Sequence, residues 1–279
     1  MALMQFFFES RYLQGNTLVD VILPDLPRRL EPKEFYRNNV KYPVLWLLHG
    51  SYGDATDWQR RTNIELYATD RNVIVVMPSA LNSNYSNWSN YMNGYHCYDY
   101  ITEELMPLVY GWFPASEKRE DNFIAGLSMG GRATIKFAVN YPEKFGAMAA
   151  LSATPTDWSE MGPDHPNMTL NTNAFRLKNS ITNAGGLENY LNSEENTWRI
   201  INEKASTGEL PRLMFACGLD EGMLLDNMLK FKKHAEEDLG LDIHYFFLPG
   251  YHHEWRFWDK AIQEALDFFG LKPTGDSIF

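Results

Sequence analysis

Apolar residues fall in short, nearly continuous runs bounded by turn residues, at 6–13, 18–23, 44–49, 73–77, 122–127, 147–152, 211–217 and 243–249. Runs such as VLWLLHG and NVIVVMP carry almost no polar position, the pattern of strands buried on both faces of a parallel sheet. Segments of helical period lie between them. One, 100–113, follows Asp99 as an N-cap; a second, 130–141, stops before Pro142; 224–239 and 254–269 complete the set. Two strands joined by a turn, then alternating strand and helix, predict an α/β sheet with an antiparallel N-terminal edge.

Two stretches depart from this pattern. Residues 24–42, rich in Pro and charge, read as a long surface connection. Residues 154–210 are polar, rich in Asn, Thr, Gly and Pro, with short helical pieces at 186–191 and 197–205. A segment of that length between two strands is expected to form a small cap over the sheet ends of a single domain spanning 1–279.

Charge narrows the choice of partner. The 279 residues hold 25 Lys and Arg against 36 Asp and Glu, a net −11, opposite to the basic footprint that nucleic acid requires. Cys97 and Cys217, 120 positions apart, form no disulfide framework or metal-ligand pair and read as reduced thiols. The first residues lack the parts of a signal peptide, and no run of 18 apolar residues occurs, so the expectation is a cytoplasmic protein with no membrane partner.

The sharpest chemical signal is Gly126-Leu127-Ser128-Met129-Gly130, followed by Gly131. It sits between the apolar run NFIAGL and a helical segment, where a serine is presented on a tight strand-to-helix turn. A serine hydroxyl needs a neighbouring base to act as a nucleophile. Of the later histidines, His165 falls in the expected cap, His234 in a helix, and His244 at the start of a strand. His252 and His253 follow the last strand, where a base belongs in the chain order Ser, acid, His. The acid should follow the run 211–217, and Asp220 and Glu221 both stand there; adjacent residues at a strand end point different ways, so one of them serves. Oxyanion donors are expected from the backbone N–H of Met129 and of Ser51, in the loop His49-Gly50-Ser51, with His49 itself structural. His253-Glu254 is no zinc helix, because position 257 is Phe, and no phosphate-binding loop is present.

The segment 82–100 places Tyr85, Trp88 and Tyr91 among five asparagines, together with Tyr95, Tyr98 and Tyr100. Aromatic faces with amide partners suit sugar rings or phenolic acyl groups; packing on the sheet edge is the alternative.

LLHGSYGDATDW, GLSMGGRATIKFAVNYPEKF, CGLDEGMLLDN and HHEWRFW resemble the esterase D-like branch of the α/β-hydrolases. That group contains tributyrin, feruloyl and acetylxylan esterases and S-formylglutathione hydrolases. The resemblance implies an α/β-hydrolase fold, a mostly parallel central sheet with helices on both faces and a small cap insertion. It implies a serine carboxylesterase acting on short-acyl or hydroxycinnamoyl esters, free or carbohydrate-linked, without metal or organic cofactor. A glutathione thioesterase or an acyltransferase could use the same residues, and a catalytically idle carbohydrate-binding homologue is the remote alternative. The family's H-x-W-x-x-W element lands on His253, Trp255 and Trp258, which favours His253 over His252. Its usual acid, three residues after the Gly of C-G-x-x-D, lands on Glu221, whereas Asp220 has the usual residue type one place early, and the choice stays open. Trp58 and Trp255 join Tyr85, Trp88 and Tyr91 as candidate substrate contacts, and homo-oligomers are common among the relatives.

Overall fold

Strands that are apolar on both faces need cover on both, and the chain supplies it by alternating them with amphipathic helices. The computed structural model describes residues 2–27, 30–159 and 172–274. Its main sheet has eight strands: β1 (Ala2–Ser10), β2 (Gly15–Leu23), β3 (Val44–Leu48), β4 (Ile74–Pro78), β5 (Asn122–Leu127), β6 (Ala147–Leu151), β7 (Arg212–Gly218) and β8 (His244–Leu248). Their spatial order is β1-β2-β4-β3-β5-β6-β7-β8. The β1–β2 and β2–β4 pairs are antiparallel, and every pair from β4 to β8 is parallel. The expected α/β architecture with an antiparallel N-terminal edge is therefore present.

All five residues of β3, VLWLL, have zero exposure. Val44, Trp46 and Leu48 feed one core, shared with α3 (Met129–Asn140) and α7 (Met223–Lys233). Leu45 and Leu47 feed the other, against α1 (Ile64–Arg71) and α8 (Trp255–Phe268). Each fully buried side chain of this size contributes about 1.5–3 kcal/mol. Between β6 and β7 lie α4 (Thr172–Asn183), α5 (Leu187–Asn192) and α6 (Thr197–Lys204). A further α-helix, α2 (Met106–Trp112), ends the helical stretch 97–112.

Parallel register decides where the chemistry can sit. Leu48 pairs with Gly126, Leu127 with Leu151, Leu151 with Ala216, and Gly218 with Leu248. The segments that leave β3, β5, β6, β7 and β8 thus emerge along one sheet edge, the usual place for a site in such folds. Close approach of α3 to that edge depends on glycine. A Cβ on Gly130 would lie 2.5 Å from the His49 carbonyl oxygen and 2.6 Å from that of Leu48.

Several boundaries differ from the sequence expectation. β1 starts at Ala2 and stops at Ser10, because residues 11–14 form the turn to β2; Leu13 is still buried. The helix expected to start after an Asp99 cap begins at Cys97, so Asp99 lies inside it, and its carboxylate caps nothing. The connection 24–42 holds a short helix, Pro32–Tyr36. Asp57–Arg61, α1 and α4 were not visible as periodic segments. Among the described residues, no helix is long and apolar enough to cross a membrane.

Gly126→Ala would set a Cβ 2.6 Å from the Gly130 carbonyl group, backbone that cannot swing aside. Urea unfolding should show a loss of about 1–3 kcal/mol in stability, read as a lower midpoint with unchanged slope. An unchanged midpoint would mean that β5 and α3 are not as tightly apposed as described.

Candidate active site

The turn after β5 holds Ser128 at φ 53° and ψ −113°, a backbone region that L-residues rarely occupy. Its N–H donates to the Leu151 carbonyl (2.9 Å) and its own carbonyl accepts from the Arg132 N–H (3.0 Å), which starts α3. The side chain is thereby lifted off the sheet edge. Ser128 Oγ lies 2.9 Å from His253 Nε2. The other ring nitrogen, Nδ1, lies 2.7 Å from Glu221 Oε2. An Nδ1–H donating to the carboxylate leaves the Nε2 lone pair free to accept the Ser128 hydroxyl proton.

Glu221 is held from three sides. Its side chain is 1% exposed, against 45% for His253. Oε1 accepts from Ser152 Oγ (2.6 Å) and from the Gly218 N–H (2.8 Å), while Oε2 faces His253. Burial pushes its carboxyl pKa up, but the donors from His253, Ser152 and Gly218 outweigh that and hold it below its ordinary value. Asp220 is exposed and takes part through its backbone: its N–H donates to the Tyr251 carbonyl (3.1 Å), and its carbonyl accepts from His252 Nδ1 (3.0 Å). Geometry therefore brings Glu221, and not the Asp220 carboxylate, to the imidazole.

Tryptophans buttress the imidazole. The His253 ring meets Trp258 edge-on (5.0 Å), Trp258 meets Trp255 (5.2 Å), and Trp255 meets Trp58 (5.4 Å). Trp258 Nε1 donates to Ser152 Oγ (2.8 Å), which ties this column to the hydroxyl that holds Glu221.

The loop after β3 forms the facing wall. His49 is buried, and burial pushes its pKa down; its Nδ1–H donates to the Gly50 carbonyl (2.7 Å) and its Nε2 accepts from the Ala80 N–H (3.0 Å). Both nitrogens are thus used structurally. Residues 50–53 form a turn closed by the Gly53 N–H on the Gly50 carbonyl (3.3 Å), with Tyr52 at φ 65°. A Cβ on Gly50 would collide with Leu127, which places this turn against the residue before Ser128. Among the described residues, the N–H groups of Ser51 and Met129 have no hydrogen-bond acceptor.

The aromatic expectations need correction at two positions. Trp58 and Tyr85 are fully buried; Trp58 Nε1 donates to the Leu48 carbonyl (3.1 Å) and Tyr85 Oη to the His49 carbonyl (3.2 Å). They brace the loop from behind, where no substrate reaches. Trp88 is half-buried, donates to the Ser83 carbonyl (2.7 Å) and lines a cavity of about 180 Å³ with Asn87 and Asn183. Tyr91 is exposed, and Trp255 stands in the tryptophan column. His234 and His244 make surface pairs with Asp238 and Glu264, and His165 lies outside the described residues. Sequence reasoning missed Ser152, whose only signal was its place at the end of β6 in register with the other strand ends. It also missed Arg176 of α4, whose Nη1 donates to Ser51 Oγ (2.7 Å).

Four similarities bear on this arrangement. The profile of the putative esterase family matches residues 25–269. An acetyl esterase of Caldicellulosiruptor saccharolyticus is 30% identical over 272 residues, covering 96% of this chain and 98% of the relative. Two Staphylococcus aureus structures, each 30% identical and covering 96% of this chain and 98% of their own, superpose well. One is the fluorophosphonate-binding serine hydrolase F, substrate bound (TM-score 0.79), and the other an S-formylglutathione hydrolase without ligand (TM-score 0.76).

A carboxylate whose folded pKa lies below its ordinary value of 4.5 stabilises the fold above that value, and the contribution is lost as pH falls through the depressed pKa. Urea unfolding of wild type should exceed that of Glu221→Gln in stability at pH 7, and the two should converge as pH falls through the acid range below 4.5. A gap independent of pH would contradict the described hydrogen bonding of Glu221.

Proposed function

Given that the chain belongs to the putative esterase family and is a serine carboxylic ester hydrolase of the α/β-hydrolase type, we propose that Ser128, His253 and Glu221 are its triad and that it cleaves short-acyl esters. The observation that carries the triad is the continuous chain Ser128 Oγ–His253 Nε2 (2.9 Å) and His253 Nδ1–Glu221 Oε2 (2.7 Å). Ser128 Oγ attacks the ester carbonyl as His253 Nε2 takes its proton. Glu221 stabilises the imidazolium and keeps the ring in the tautomer that accepts from serine. The free N–H groups of Ser51 and Met129 hold the negative oxygen of the tetrahedral intermediate. His253 then protonates the departing alkoxide, and a water activated by the same nitrogen releases the acid from Ser128.

The short-acyl assignment leans on the relative named acetyl esterase. It also leans on the burial of Trp58 and Tyr85, which removes two aromatic faces that a hydroxycinnamoyl group would need. Cleavage of a glutathione thioester is the second reading, favoured by the Staphylococcus S-formylglutathione hydrolase at the same identity. The substrate in either case is a small molecule, and the three residues act alike on both.

Turnover of p-nitrophenyl esters from acetyl to octanoyl, a feruloyl ester and a glutathione thioester checks the assignment. Wild type should be fastest on the shortest oxygen esters. Ser128→Ala should lose activity to near background, Glu221→Gln should lower kcat by roughly 10³–10⁴, and Asp220→Asn should stay within a few-fold of wild type. A larger loss in Asp220→Asn than in Glu221→Gln would overturn the triad; preference for the thioester or feruloyl ester would replace the substrate assignment.

A further inference from the structure

One turn along α3 from Ser128, a small cavity of about 70 Å³ opens between that helix and α5 and α6. Its wall includes Arg132, Thr154, Trp158 and Tyr190, and several waters' worth of space remains between them. Arg132, exposed at the cavity mouth, makes no ion pair and no side-chain hydrogen bond among the described residues, and its backbone N–H is fixed on the Ser128 carbonyl (3.0 Å). Thr154 is buried, and among the described residues its Oγ1 has no hydrogen-bond partner. A buried hydroxyl without a partner is costly, and one facing a cavity beside an unpaired guanidinium has the donors of an oxyanion ligand. Ala153, next to Thr154, packs against Gly131 and fixes this wall to the turn that carries Ser128.

Two of the carboxylates nearby are already engaged. Glu195, also in the wall, is neutralised by Lys136 (2.8 Å), whose ammonium is itself buried and further bonded to Ser86 Oγ (2.9 Å) and the Asn84 carbonyl (3.1 Å). Asp157 pairs with Lys230 (2.9 Å). On the opposite side of the site, Arg176 lies over the Tyr52 ring (5.2 Å) and bonds Ser51 Oγ, again without a carboxylate partner among the described residues. Among the described residues of a chain of net charge −11, Arg132, which is exposed, and Arg176 thus have no carboxylate partner.

Resting on the assignment of Ser128 as the nucleophile, we infer that this cavity binds an anionic group of the ester, a carboxylate in the first instance, and that Arg132 selects such substrates. A guanidinium fork meets a carboxylate with two parallel N–H···O bonds, and the Thr154 hydroxyl adds a third donor. The anion can belong to the acyl part, as in a half-ester of a dicarboxylic acid, or to the alcohol part. Both place a carboxylate a few bonds from the scissile carbonyl.

The test compares kcat/KM for matched anionic and neutral esters in each variant. For the acyl side the pair is the p-nitrophenyl monoester of glutaric acid against p-nitrophenyl butyrate; for the alcohol side it is 3-acetoxypropanoate against propyl acetate. Wild type should favour the anionic member of one pair, and that arm identifies which part of the ester enters the cavity. The anionic-to-neutral ratio should fall about 10-fold or more in Arg132→Gln, reverse in Arg132→Glu, be partly kept in Arg132→Lys, and drop in Thr154→Val, chiefly through KM. In wild type the ratio should also shrink with added salt. Ratios that are the same in wild type and Arg132→Gln in both arms, while neutral esters are still cleaved, overturn this inference alone. Absence of Ser128-dependent cleavage of every neutral ester would instead remove the esterase mechanism beneath it.

Discussion

Ser128 is held in a backbone conformation that costs on the order of 1–3 kcal/mol for an L-residue, and the rest of the site depends on that strain being maintained. Three contacts hold it. Its N–H is fixed to β6, its carbonyl starts α3, and the glycines at 126, 130 and 131 let helix and sheet approach more closely than any Cβ would allow. Relaxing the turn to an ordinary conformation would drop Oγ toward the sheet and break its contact with His253. The strain is therefore stored by packing that extends well beyond the serine, into two cores that bury β3 and β5 completely.

Charge organisation at the site follows from a second constraint, the nearly complete burial of Glu221. A carboxylate this dry stays ionised only if donors surround it, and here they come from the ends of three elements: Gly218 closing β7, Ser152 just after β6, and His253 on the connection after β8. Parallel register brings those ends together, so topology and electrostatics are one problem. Trp258 extends the network by donating to Ser152 while its ring supports the imidazole edge-on, so one side chain helps hold both Glu221 and His253.

Much of this was legible in the sequence for identifiable reasons. The central strands β3 to β7 could be read because strands buried on both faces leave unbroken apolar runs. The turn of Ser128 could be read because close helix approach demands glycine at fixed spacing. The choice between Asp220 and Glu221 could not be made from neighbouring carboxylates alone. It depends on the turn after β7, where the Asp220 backbone is tied to Tyr251 and His252 and only the next side chain turns inward. Tyr85 and Trp58 were misread because a loop aromatic looks the same in sequence whether it faces a substrate or braces a wall. The helices α1 and α4 were missed because their buried faces are short and their remaining positions polar. Ser152 carried no motif at all; its importance is a matter of register.

The proposed triad requires Ser128 to form a covalent acyl intermediate within this arrangement. The most direct measurement is rapid quenching of the protein mixed with p-nitrophenyl acetate, followed by peptide mapping by mass spectrometry. One acetyl group per chain on the peptide containing Ser128, formed and lost at rates that match turnover, is the predicted result. Turnover that proceeds with no acetyl on that peptide, or with acetyl carried on another residue, would contradict it.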